Sequence, residues 1–197
     1  MKKNIRKALF CLMAFGMAAV SCTNKAPMNE QQSEKTATPA PDTALVAAAE
    51  KNIKAHQEDI DALWGMTVGE EKKIAHYALA GDDVFLSTED GKEGLLLSFF
   101  KDMKDIDNFD GVPVCEGQTL TLQGEAVIVK EQDKSTYYIR DEYGGFSELF
   151  TMTEKDNKKS FVNDLGEAYD EKEALDFINK LSKTPAKSLS DIMVKWK

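Results

Sequence analysis

Apolar residues recur three and four positions apart over residues 43–64. Val46, Ala49, Ile53, His56, Ile60 and Leu63 form one stripe down a helix, and Gly65 is its stop. Such a stripe either packs on its own domain or, through Val46, Ile53 and Ile60, offers a face to a partner. A second helix is predicted over Glu70–Ala80, with Thr67 and Glu70 at capping-box spacing, Ile74, Tyr77 and Ala78 inside, and Gly81 beyond. Val84-Phe85-Leu86 reads as a short strand. Asp90 and Glu93 repeat the capping spacing before Leu96, Phe99, Phe100, Met103 and Ile106, which predicts a third helix. A β-hairpin turning at Asp90-Gly91 competes for residues 83–100.

From Val112 the period changes to two. Leu120, Leu122, Gly124, Ala126 and Ile128 alternate with Thr121, Gln123, Glu125 and Val127, which predicts a half-buried strand. Glu131 to Lys134 reads as a turn and Ser135 to Ile139 as the returning strand. Gly144-Gly145 is the next turn, followed by strands over Phe146–Thr153 and Ser160–Val162. Asp170 and Glu173 then cap a helix whose inner face is Ala174, Phe177, Ile178 and Leu181. N-terminal helices, an antiparallel β-meander and a C-terminal helix packed on the sheet make an α+β fold.

Ahead of these elements the pattern is of another kind. Lys2, Lys3, Arg6 and Lys7 precede an apolar run from Ala8 to Val20, and small residues lead to Cys22. Thirteen residues rise only about 20 Å as a helix, short of a ~30 Å hydrocarbon core, so this is a signal peptide (residues 1–21) cut between Ser21 and Cys22. Thr23 to Asp42 holds three of the five prolines and no aromatic residue. It cannot bury enough apolar surface to offset its ordering entropy, which predicts a disordered tether over residues 22–42, with a reach of about 25 Å. Residues 43–197 remain for one globular domain.

The run Ala19-Val20-Ser21-Cys22 resembles the lipobox of bacterial lipoproteins, with Ala19 where leucine is usual. The resemblance implies that Cys22 becomes the mature N-terminus and carries a diacylglyceryl group and a further acyl chain of the palmitate kind. It also implies lipid anchoring in the cell envelope. Thr23 is not the aspartate that retains many such proteins at the inner membrane, which favours the outer membrane. The Ser-Cys-Thr-Asn-Lys start and the proline-bearing tether resemble lipoproteins of Bacteroidota. The first acidic residue after the cysteine is Glu30, which points to the periplasmic face rather than to surface exposure.

Charge and cysteine content narrow the partners. Removing residues 1–21 takes away four positive charges and no negative ones, so the net charge of −9 becomes −13. An acidic body repels nucleic acid and anionic lipid, so none is expected as a partner and membrane attachment falls to the lipid. Cys11 leaves with the signal and Cys22 is acylated. Cys115, in Val112-Pro113-Val114-Cys115, then reads as a buried small apolar residue without a disulfide partner.

Candidate chemistry is sparse. His56 lies in an apolar stripe and His76 has no ligand-spaced companion, so no metal or cofactor is expected. Asp105, Asp107 and Glu116 occupy positions 1, 3 and 12 of a calcium-loop template, but Phe109 and Asp110 stand where an oxygen ligand and a glycine are required. Trp64, Tyr137, Tyr138, Tyr143 and Phe146 could line a ligand groove, but aromatic residues on a half-buried sheet are more often core. Gly117 to Phe146 resembles the opening strands of bacterial OB-fold domains, with Leu120, Leu122 and Gly124 and then Tyr138, Asp141 and Gly144 at the motif positions. That resemblance implies an OB-like binding domain over residues 112–153. The main expectation is a non-catalytic module binding a ligand or an envelope protein; an envelope hydrolase using acidic residues is the alternative.

Overall fold

The structure, a computed structural model, describes residues 40–100 and 109–196. The signal peptide, the Ser21–Cys22 junction and nearly all of the tether lie outside them, as do Asp102, Met103, Asp105, Ile106 and Asp107. The described chain is α+β: four helices and eleven strands in two antiparallel sheets.

Helix α1 (Thr43–Ala55) starts at Asp42, whose carboxylate accepts from the Ala44 and Leu45 amides. It breaks at His56 and resumes as α2 (Gln57–Trp64), which runs into a π-helical turn over Gly65–Gly69. The predicted stripe is correct as a buried face: Ile60 is 0% exposed and Ile53 6%, and Val46 packs beside them. Ile53 and Ile60 are therefore core, with Val46 half-buried against them under the chain's own sheet, and the partner-binding face expected there is corrected.

Residues 70–80 are not a helix. Thr67 caps nothing downstream; its hydroxyl donates to the Leu63 carbonyl at 2.7 Å within the π-helical turn. Residues 76–87 form β1 (His76–Ala80) and β2 (Asp83–Ser87), joined at Gly81-Asp82 with Gly81 at φ +68°, the pattern of a two-residue hairpin turn. The hairpin reading of residues 83–100 also holds against the third helix. Strand β3 (Gly94–Phe99) pairs with β2 and with β4 (Phe109–Val114).

The first sheet has the order β11-β1-β2-β3-β4, with β11 (Met193–Lys195) at one edge. Both of its faces are covered. Leu79, Val84, Leu86, Leu95 and Leu97 meet Ile53, Ile60 and Trp64 of the helices. Ala80, Phe85, Leu96, Val112 and Val114 meet the second sheet. A strand buried on both sides reads as a continuous apolar run, which is why Leu95-Leu96-Leu97 with Phe99 mimicked a helical face.

The second sheet has the order β10-β5-β6-β7-β8-β9. The stretch read as one strand over 120–128 is a hairpin of β5 (Thr119–Gln123) and β6 (Ala126–Glu131), turning at Gly124, φ +58°. Next come β7 (Lys134–Arg140), β8 (Phe146–Lys155) and β9 (Lys158–Val162). The β7–β8 register shifts between Tyr137 and Tyr138, which face Phe150 and Glu148 and leave Leu149 as the extra residue. That bulge reverses the side-chain phase, so Phe146 points between the sheets while Phe150 points to the outer face. The OB-like barrel is not formed: β4 belongs to the first sheet, and β5–β8 are an open meander extended by β10 and β9.

Helix α3 (Glu171–Leu181) covers the outer face as expected, with Asp170 accepting from the Glu173 amide at 2.9 Å and Ala174, Phe177, Ile178 and Leu181 packed on Tyr137, Phe150 and Phe161. Gln123 donates from its amide to the Leu181 and Thr184 carbonyls at 2.7 and 2.8 Å, satisfying acceptors at the helix end. After α3 come β10 (Ala186–Ser188) on β5, the short α4 (Leu189–Ile192) and β11 on β1, so residues 186–195 join both sheets. Cys115 is exposed, contrary to expectation, because it stands just past β4 in a turn where its amide donates to Gln118 Oε1 at 2.9 Å.

Candidate functional site

Among the described residues, two concave regions collect both polar and aromatic side chains. The first lies at the end of the sandwich where the Gly81-Asp82, Gly124-Glu125 and Asp141–Gly145 turns converge around a cleft of about 630 Å³. Arg140 fills its base. Nη1 donates to Ser98 Oγ at 2.8 Å and to Asp83 Oδ1 and the Gly144 carbonyl at 3.3 Å, while Nη2 pairs with Asp83 Oδ2. Its guanidinium also sits 4.6 Å from the centre of the Phe146 ring. Asp110 Oδ2 accepts from the Phe146 amide at 2.7 Å, a second polar tie from β4 to β8. Asp83 and Ser98 come from the first sheet and Arg140 from the second. The geometry is that of a clasp between sheets, with both Nη groups of Arg140 bonded to internal partners.

The second region is a groove between the helices and the β1/β11 edge. Its larger part, about 470 Å³, is lined by Gln57, Asp61, Trp64, Glu70, Ile74 and Tyr77, among others. A smaller part of about 150 Å³ shares Gln57 and Tyr77 and reaches Glu50, Lys54 and Trp196. Trp64 Nε1 donates to the Lys72 carbonyl at 2.7 Å, pinning the chain after the π-helical turn against the end of α2. Tyr77 and Trp196 stack with ring centres 5.9 Å apart and planes 29° from parallel. Antiparallel pairing of β11 with β1 places residue 196 beside residue 77, and the Trp196 amide donates to the Tyr77 carbonyl at 3.3 Å.

The electrostatics of this groove are balanced. Glu50, Asp61 and Glu70 stand against Lys54, Lys72 and Lys73. Gln57 Nε2 donates to Asp61 Oδ1 at 2.8 Å, and Lys72 Nζ pairs with Glu93 at 2.6–2.7 Å. That hydrogen bond to Glu93 holds the Lys72 ammonium above its usual pKa, with burial opposing. Burial, helped by the negative charge of Asp61, raises the Tyr77 phenol above its ordinary value.

The aromatic residues singled out from sequence do not meet. Trp64 reaches the groove, Tyr137 packs under α3, Tyr138 and Phe146 lie between the sheets, and Tyr143 is exposed. His56 packs between Phe99 and Phe109, with ring centres 6.4 and 5.8 Å away. Glu116 pairs with Lys92 at 2.7 Å. Among the described residues no group of three or more His, Cys, Asp or Glu side chains could hold a metal ion, and no helix is long and apolar enough to cross a membrane.

Gln57 and Trp196 escaped the sequence reading, and Tyr77 was read only as the inner face of a helix, because their shared groove depends on a pairing between residues more than a hundred positions apart. The one available signal was a tryptophan set between two lysines, Lys195 and Lys197. No protein-family model, curated protein or solved structure matches this chain.

Proposed function

We propose that the protein is a lipid-anchored cell-envelope module that binds its ligand without transforming it, tethered to the outer membrane through an acylated Cys22. The single observation that carries the binding reading is the meeting of two adjoining hollows at Gln57 and Tyr77, the larger lined by Trp64 and the smaller by Trp196. A concave surface with aromatic walls and a few fixed polar groups is the usual form of a ligand site, and 470 Å³ lies within the ~300–1,000 Å³ range of small-ligand pockets.

The anchor reading rests on the order of residues 1–42: basic start, short apolar run, cysteine after small residues, proline-bearing polar tether. Two or more acyl chains hold a protein at a bilayer firmly, at ~0.8 kcal/mol per buried CH₂. Attachment through lipid suits an acidic body that anionic headgroups repel.

Cys22→Ala tests the anchor. The variant loses incorporation of a labelled palmitate analogue and moves from the membrane fraction to the soluble fraction; unchanged membrane retention refutes the anchor. A hydrolase is the second reading, favoured by Asp61 and Glu70 lining the same aromatic groove. Under that reading Asp61→Asn abolishes turnover of a bound ligand, whereas a binding module returns its ligand intact after prolonged incubation.

A further inference from the structure

Building on the reading of the groove as the ligand site, we infer that its ligand is a neutral, polyhydroxylated ring compound, an oligosaccharide of uncharged sugars.

Three features of the groove select this chemistry. The first is the stacked Tyr77–Trp196 pair, both half-buried and both lining the groove. An aromatic face carries partial negative charge. The axial C–H bonds on one side of a pyranose ring present partial positive charge, so the ring lies flat on such a face and buries its apolar side. The second is the polar rim. The Gln57 carboxamide, held by Asp61 at 2.8 Å, offers an acceptor and a remaining donor on a planar group. Carboxylates and ammonium groups both line the groove, which suits hydroxyls that each donate one hydrogen bond and accept another.

The third is charge. Three carboxylates and three ammonium groups line the groove, so it attracts neither sign of ion strongly. The whole chain, at −9, repels polyanions. An acyl chain would strand the charged rim without partners. A protein partner needs about 800 Å² of surface on each side, far more than this cleft provides.

The test uses the chain from residue 23 onward, titrated with neutral hexasaccharides of glucose, of mannose and of N-acetylglucosamine, with a hexamer of galacturonate as the anionic comparison. Because both tryptophans line the groove, intrinsic fluorescence reports occupancy directly, and calorimetry gives the affinity. At least one neutral hexasaccharide binds saturably, and its affinity changes less than twofold between 50 and 500 mM salt. Trp196→Ala weakens it about tenfold, the loss of one aromatic stack. Gln57→Ala, a surface change on α2, weakens it several-fold, and circular dichroism shows both variants folded.

Failure of all three neutral probes overturns the inference, as does preference for the galacturonate hexamer or binding indifferent to Trp196→Ala. If an envelope protein is instead captured in a Trp196-dependent way, the sugar inference falls and the binding-module reading survives. A groove that captures neither sugar nor protein overturns both.

Discussion

Arg140→Met is the sharpest perturbation of this fold. The substitution keeps most of the side-chain volume and removes the charge that neutralises Asp83. Asp83 is only 5% exposed, so its carboxylate is left buried and uncompensated. Losing one partner of a buried pair costs about 3–5 kcal/mol. The Arg140 side chain is 24% exposed, so water can reach the vacated position and the expected loss is at the lower end, about 3 kcal/mol. That is a large share of the ~5–15 kcal/mol typical of a folded domain.

The companion change is Asp83→Leu. Alone it strands Arg140; combined with Arg140→Met it replaces the pair by apolar atoms and should recover most of the loss, because a buried ion pair roughly breaks even against a hydrophobic substitute. Urea unfolding followed by tryptophan fluorescence gives all four stabilities, and the cycle should show a coupling of about 2–3 kcal/mol with unchanged denaturant slopes. A loss below about 1 kcal/mol in Arg140→Met refutes the clasp. So does a double variant as unstable as the sum of the two single ones.

Two further outcomes follow from the core. The Tyr138 phenol is pushed up to about 12, first by burial and then by the negative charges of Glu148 and Asp110. Between pH 10 and 12 the unfolded chain therefore releases this proton while the folded chain keeps it, and stability falls through that window by about 1–3 kcal/mol. Urea titrations at pH 9 and 11 measure the fall. Tyr138→Phe should lessen the fall, leaving the part due to the Tyr77 and Tyr137 phenols that burial also raises, and an unchanged slope in that variant refutes the assignment. Gly94 opens β3, where an added Cβ would collide with the Phe85 ring and the Leu86 carbonyl. Gly94→Ala should cost about 2–4 kcal/mol, read as a lower melting temperature, and a loss under 0.5 kcal/mol refutes so tight a contact.

What was readable in the sequence was local. Helix α3 followed from Asp170, Glu173 and the 174/177/178/181 spacing because its cap and its face are both set within twelve residues. The turns at 131–134 and 144–145 were equally plain. Strand β1 was misread because Thr67, Glu70 and the alanines near Ala80 carry helical signals locally, and pairing with β2 and β11 overrides them. The chain from Leu95 to Phe99 deceived for another reason: burial on both faces erases the two-residue alternation that marks a strand. The groove was invisible because no window of sequence holds both Tyr77 and Trp196. Cys115 was misplaced by one turn, since the apolar run before it ends with β4 at Val114.

The C-terminal stretch that joins both sheets bears on the order in which the protein can be completed. A chain made, or moved through a pore, N-terminus first brings out β1 more than a hundred residues before its outer partner β11. The second sheet likewise waits for β10 to close on β5. Until those last residues emerge, each sheet has an unfinished edge, and pairings of such long separation are the slow ones to form. Closure of the fold is therefore late: both sheets gain these outer pairings only when residues 186–195 arrive.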